Sequence, residues 1–92
     1  MASAIVTIKV MPASPETNMD ELEIKVKQAI INFAGEGETR TEVVPVAFGL
    51  KSLNVTFVMA EAKGSPDPLA EEIDSYEEVN SAEISDVRRA VG

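Results

Sequence analysis

Ninety-two residues, 45% of them hydrophobic and 26% charged, fit one small self-folding domain over residues 1–92 that buries about two-thirds of its unfolded surface. Cysteine and histidine are both absent, which excludes disulfides, thiolate and imidazole chemistry and nearly every zinc site. Sixteen acidic against eight basic residues give a net charge of -8, a field that repels nucleic acid and anionic lipid and favours positively charged protein surfaces.

The first apolar run, Ile5 to Met11, is interrupted by Lys9 and is too short for a signal region or a membrane span. A cytoplasmic protein is expected. Val6, Ile8 and Val10 alternate with Thr7 and Lys9, so Ala4 to Met11 reads as a strand with one buried face, ended by Pro12. Asn18 followed by Glu21 has the spacing of a capping box, and Asp20 and Glu21 suit the positive end of a helix dipole. Met19, Leu22, Val26, Ala29, Ile30 and Phe33 recur at steps of three and four, which predicts a helix to about Ala34, stopped by Gly35 and Gly37.

Thr39 to Ala47 is the second predicted strand, and Pro45, having no amide hydrogen, assigns it to a sheet edge or a bulge. Phe48 and Gly49 then form a hinge, in which Gly49 is the residue expected to take the backbone angles forbidden to its neighbours. Ser52 to Ala60 is a clean strand, with Leu53, Val55, Phe57 and Met59 on its buried face. Lys63 to Pro68 is turn chemistry opening a second helix, capped by Ser65 or Asp67 and buried along Leu69, Ile73 and Tyr76. A last strand runs from Val79 to about Arg89. The alternation of Ala82 and Ile84 breaks before Val87, which predicts a bulge or a twist near Asp86.

The order β-α-β-β-α-β is that of the split βαβ, an α+β ferredoxin-like fold with a four-stranded antiparallel sheet and two helices on one face. In this arrangement the first and third strands are expected to be central and parallel, with the others antiparallel at the edges. The hairpin tip would then share one end of the molecule with the close of the last strand. Phe48, Gly49, Leu50 and Lys51 would lie roughly 14 Å, or three strand spacings, from Arg88 and Arg89.

Clustered cations beside an exposed aromatic make a docking edge for a protein partner. An ordinary hairpin, with Phe48 and Leu50 folded onto the core, is the plainer reading of the same residues. The acids Glu71, Glu72, Asp74, Glu77 and Glu78 read as a solvated helix face rather than a metal site. Gly35 and Gly37 lack the spacing and lysine of a phosphate loop, so no nucleotide site of the chain's own is expected. An RNA-recognition surface would need aromatic and basic residues where the third strand offers Asn54, Thr56 and Val58. A metallochaperone of this architecture would need a cysteine pair. No cofactor is predicted.

Pro45-Val46-Ala47-Phe48-Gly49-Leu50-Lys51-Ser52-Leu53, followed by Val79-Asn80-Ser81-Ala82-Glu83-Ile84-Ser85-Asp86-Val87-Arg88-Arg89, closely resembles the elongation factor 1-beta family, its compact archaeal form above all. The opening Ile8-Lys9-Val10-Met11-Pro12 fits as well, so the resemblance covers essentially the whole chain. It implies a guanine nucleotide exchange factor for elongation factor 1-alpha in translation elongation, not an enzyme in its own right. It further implies that the Phe48–Lys51 hairpin docks on the GTPase and that a terminal cation reaches its magnesium and phosphate site. That position falls on Arg89, where the eukaryotic pattern has lysine, with Arg88 beside it able to share the role. A small ferredoxin-like regulatory domain that binds a metabolite is the second reading.

Overall fold

The computed structural model describes residues 3–90, so residues 1, 2, 91 and 92 of the expected domain lie outside it. Its elements are β1 (Ser3–Pro12), α1 (Met19–Ala34), β2 (Thr39–Pro45), β3 (Lys51–Ala60), α2 (Asp67–Asp74) and β4 (Val79–Ala90). Two short 3-10 turns, Ala47–Gly49 and Glu61–Lys63, follow β2 and β3. The predicted strands and helices are all present, and the four strands form one sheet in the order β2-β3-β1-β4. Pro45 closes an edge strand, the place where a missing amide hydrogen costs no ladder bond.

One strand direction differs from the sequence expectation: β1 and β3 are antiparallel, not parallel. β1 with β4 and β2 with β3 are antiparallel, as expected. Each helix carries the chain back over the sheet, so the strands on either side of it run the same way. α1 makes β1 and β2 parallel with β3 between them, and α2 makes β3 and β4 parallel with β1 between them. Every pair of neighbours is therefore antiparallel.

Alternation decides which face is buried. Val6, Ile8 and Val10 of β1 stand opposite Phe57, Val55 and Leu53 of β3, and all six are at most 2% exposed. Leu22, Val26, Ala29 and Ile30 of α1 and Leu69, Ala70 and Ile73 of α2 cover that face. Each fully buried aliphatic side chain contributes about 1.5–3 kcal/mol, so this two-layer core outweighs every surface pair in the molecule. The other face is solvated. Its central contact is a hydroxyl pair, Thr7 Oγ1 to Thr56 Oγ1 at 3.0 Å.

Local chemistry sets the element ends. The Asn18 side chain accepts from the Asp20 and Glu21 amides, both at 3.1 Å, and Gly35, at φ 87°, donates back to the Ile31 carbonyl at 2.8 Å. α2 starts beyond Pro66, with Ser65 Oγ accepting from the Asp67 amide. The slip in β4 is a bulge: Asp86 pairs with Thr7 and Ile84 with Ile8, leaving Ser85 over. Ser85 turns its hydroxyl onto the Thr7 carbonyl at 3.2 Å.

The acids of the second helix and the turn after it hold structure together. Asp74 accepts from the Ala82 amide, Glu72 from the Tyr76 hydroxyl at 2.9 Å, and Glu78 from Lys25 Nζ at 2.9 Å. Lys25 also stands 4.5 Å from the centre of the Tyr76 ring, which ties α1 to the end of α2. Burial, then the Glu72 hydrogen bond and the charges of Glu72 and Glu78, push the Tyr76 phenol up to about 12. The folded value lies above the unfolded one, so this contribution to stability is complete below pH 10 and is lost as pH rises from 10 to about 12. Tyr76 is the sole tyrosine, so phenolate absorbance reads it directly. We expect a midpoint of about 12 in the folded protein and a shift back toward 10 in Glu72→Gln; a wild-type midpoint at 10 would remove the hydrogen bond from this account.

Candidate functional site

Two exposed clusters hold the residues singled out in the sequence. The first is the β2–β3 tip. Pro45 pairs with Lys51, the Val46 amide donates to the Leu50 carbonyl at 2.8 Å, and the Leu50 amide returns to the Ala47 carbonyl at 3.3 Å. These bonds close the hairpin with Phe48 and Gly49 at its apex. Phe48 has φ 62° and ψ 31°, and Gly49 follows at φ 76°. Both apex residues are thus left-handed, as the right-handed twist of a tight hairpin requires. Gly49 was expected to take the forbidden angles alone. Phe48 takes them too, at a cost of about 1–2 kcal/mol for a residue with a Cβ.

That strained backbone holds the Phe48 ring out in water, with 93% of the residue exposed. The plainer reading, with Phe48 folded onto the core, is overturned. Leu50 is half-buried, so of the two apolar residues at the tip only Phe48 projects freely. Beneath them Ser52 is 1% exposed, with its hydroxyl 3.5 Å from the Val44 carbonyl, which fixes the base of the hairpin. Lys51 is exposed and has no ion-pair partner among the described residues. With Gly49 it lines a depression of about 160 Å³ whose other wall is the β1–α1 connection, from Pro12 through Ser14 and Pro15 to Thr17.

The second cluster is the close of β4. Arg89 stands opposite Ala4 and Arg88 opposite Ile5, so Arg89 shares the helix-bearing face and Arg88 the open one. Both are paired. Arg88 Nε donates to Asp86 Oδ2 at 2.8 Å within its own strand. Arg89 Nε donates to Glu61 Oε1 at 2.8 Å, and its Nη2 reaches Oε2 at 3.5 Å. The Glu61 carboxylate holds the Arg89 guanidinium even more firmly protonated than usual. Glu61 carries no sequence signal of its own; it is brought to Arg89 because Ala60 and Ala90 both pair with Ser3.

These clusters do not flank one end of the molecule. Val10 pairs with Leu53 and Ala82, whereas Ser3 pairs with Ala60 and Ala90, so the tip lies where β1 ends and the arginines where β1 begins. The eight residue steps from Lys51 to Met59 separate them by about 26 Å along β3, at ~3.3 Å per step. The expected 14 Å juxtaposition followed from the wrong strand direction. An aromatic point and a cationic point at opposite ends of a 42 × 20 × 18 Å body can grip a partner in two places, yet cannot form one site.

Residues 5–90 match the family described as EF-1 guanine nucleotide exchange domain. The elongation factor 1-beta of Methanosphaera stadtmanae is 36% identical over 89 residues, which span 97% of this chain and 98% of the relative. That of Pyrococcus furiosus is 42% identical over 83 residues, or 89% of each chain. The Nanoarchaeum equitans protein of the same name is 40% identical over 84 residues, which are 90% of this chain and the whole of the relative. With this likeness running from the start of β1 to the close of β4, the chain belongs to the EF-1 guanine nucleotide exchange domain family.

Proposed function

We propose that residues 1–92 act as one cytoplasmic exchange domain whose partner is elongation factor 1-alpha, from which it releases GDP so that GTP can reload. The observation that carries this reading is the left-handed, 93% exposed Phe48 at one pole with Arg89 at the other. An apolar ring held in water against a backbone cost is a group awaiting a partner's pocket. A guanidinium at the far pole, on a chain of net charge -8, suits an anionic point such as a phosphate or a metal's carboxylate ligand.

The mechanism is non-covalent. The domain binds the nucleotide-free GTPase more tightly than the loaded one, and linkage then obliges nucleotide to bind more weakly by the same factor. Phe48, supported by Gly49, Leu50 and Lys51, anchors the complex. Arg89 takes up the charge of the magnesium and phosphate site, where the bound cation otherwise dominates the local field. Accelerating release about a thousandfold corresponds to ~4 kcal/mol at the release transition state.

The test is the release rate of a fluorescent GDP analogue from elongation factor 1-alpha of the same organism, with and without this protein. We expect acceleration that saturates with exchange factor and weakens with added magnesium, which competes for the charge Arg89 meets. Release unchanged at saturating protein would overturn the partner assignment.

A further inference from the structure

We propose that Glu61 is a positioning residue for Arg89: its carboxylate holds one edge of the guanidinium and aims the other off the end of the sheet. The proposal rests on the reading of Arg89 as the cation that meets the GTPase. A guanidinium has five N–H donors in a fixed plane. Glu61 accepts from Nε at 2.8 Å and from Nη2 at 3.5 Å, so among the described residues Nη1 and the outer Nη2 hydrogen meet no acceptor and can take a second one. The Arg89 side chain is 74% exposed while it is held, against 32% for Glu61. Glu61 therefore orients the group without covering it.

The support beneath Glu61 is firm. It begins the 3-10 turn Glu61–Lys63, which the Gly64 amide closes on the Glu61 carbonyl at 3.0 Å, and it follows directly on β3, a central strand of the sheet. Arg89 sits on β4, an edge strand. The contact thus ties the freer end of the sheet to a central one across β1. An exposed ion pair of this kind adds little to stability. Its effect lies in order: fixing a long side chain at an interface costs rotamer entropy, which a pair already formed in the free protein has met before docking.

The experiment compares exchange by the full-length wild type, Glu61→Ala, Glu61→Asp, Arg89→Ala and the double variant Glu61→Ala/Arg89→Ala. Thermal melting confirms that each folds. Glu61→Ala is expected to slow catalysed release about two- to tenfold, the range the ordering cost sets. In the Arg89→Ala background the same change is expected to add nothing, the signature of two residues acting as one. The Arg89 Nε–H resonance is expected to exchange slowly with water in the wild type, to lose that protection in Glu61→Ala and to keep part of it in Glu61→Asp. A purely structural role for Glu61 would move melting and leave that resonance protected.

Faster release by Glu61→Ala would show that Glu61 masks Arg89 instead of aiming it, and would overturn the proposal. Unchanged release would do the same. If Arg89→Ala itself exchanges like the wild type, the functional reading of Arg89 fails first and the positioning role falls with it. If Arg89→Ala is slow and Glu61→Ala is not, positioning alone is wrong.

Discussion

Phe48→Gly is expected to lower exchange about 30-fold while leaving the fold as stable as before or more so. The two effects have separate causes. At φ 62° and ψ 31°, a residue with a Cβ is held at a cost of about 1–2 kcal/mol that glycine does not bear. Glycine returns about 0.5–1 kcal/mol of that through its freer unfolded chain. The ring is 93% exposed, so its removal forfeits no burial. The net gain lies between zero and about 1.5 kcal/mol, and about 1 kcal/mol moves the midpoint of a domain this size by roughly 4–8 °C. Against this, loss of a central aromatic anchor from an interface costs about 2 kcal/mol or more, which is the 30-fold. Phe48→Ala separates the terms, because it loses the ring but keeps the left-handed strain: exchange falls as far and the melting temperature does not rise. Thermal melts and nucleotide release on the same preparations decide it. A Phe48→Gly protein that melts well below the wild type would mean that the ring packs against the fold, and one that exchanges normally would mean that the tip is no anchor.

Phe48 also shows where sequence reading stops. A phenylalanine beside a glycine invites the assignment of the awkward angles to the glycine alone, because one residue pays nothing for them and the other does. The hairpin's twist demands two left-handed residues in succession, and that demand comes from pairing β2 with β3, not from either residue. Burial was legible for the opposite reason. Val6, Ile8, Val10, Leu53, Val55, Phe57 and Met59 encode their face by alternation, and the parity slip near Asp86 encoded the bulge. Alternation carries a face but no direction, however, so a strand read backwards buries the same residues. Reading β3 as parallel to β1 therefore leaves the core intact but puts the Phe48 tip at the pole that holds Arg89, whereas the antiparallel pairing puts it at the other. Its partner Glu61, 28 residues earlier in the chain, becomes visible only when Ala60 and Ala90 are both placed opposite Ser3.

Arg89→Ala is expected to remove most of the acceleration, at least about 30-fold, because truncating a charge that meets an opposite charge in a closed interface costs 2 kcal/mol or more. Arg88→Ala is expected to cost less than about threefold, in the range of an exposed surface pair. The two arginines are adjacent in sequence but stand on opposite faces of β4, and Arg88 is already engaged with Asp86 on its own strand. Arg89→Lys keeps a positive charge but offers a point where the guanidinium offers a fork, so it is expected to fall between wild type and Arg89→Ala. The poles should also differ in kind. On the proposed reading Phe48 anchors the complex whatever the nucleotide, so its loss is expected to raise the concentration of exchange factor needed for half-maximal release. Arg89, on the same reading, acts where charge is redistributed as magnesium leaves, so its loss is expected to lower the maximal rate with less change in that concentration. With about 26 Å between them along β3, the two changes should add in free energy, since distant sites without shared partners are independent to within about 0.5 kcal/mol. Measured non-additivity above that would mean that docking at one pole is required to seat the other, and the rigid two-point grip would have to give way to an ordered one.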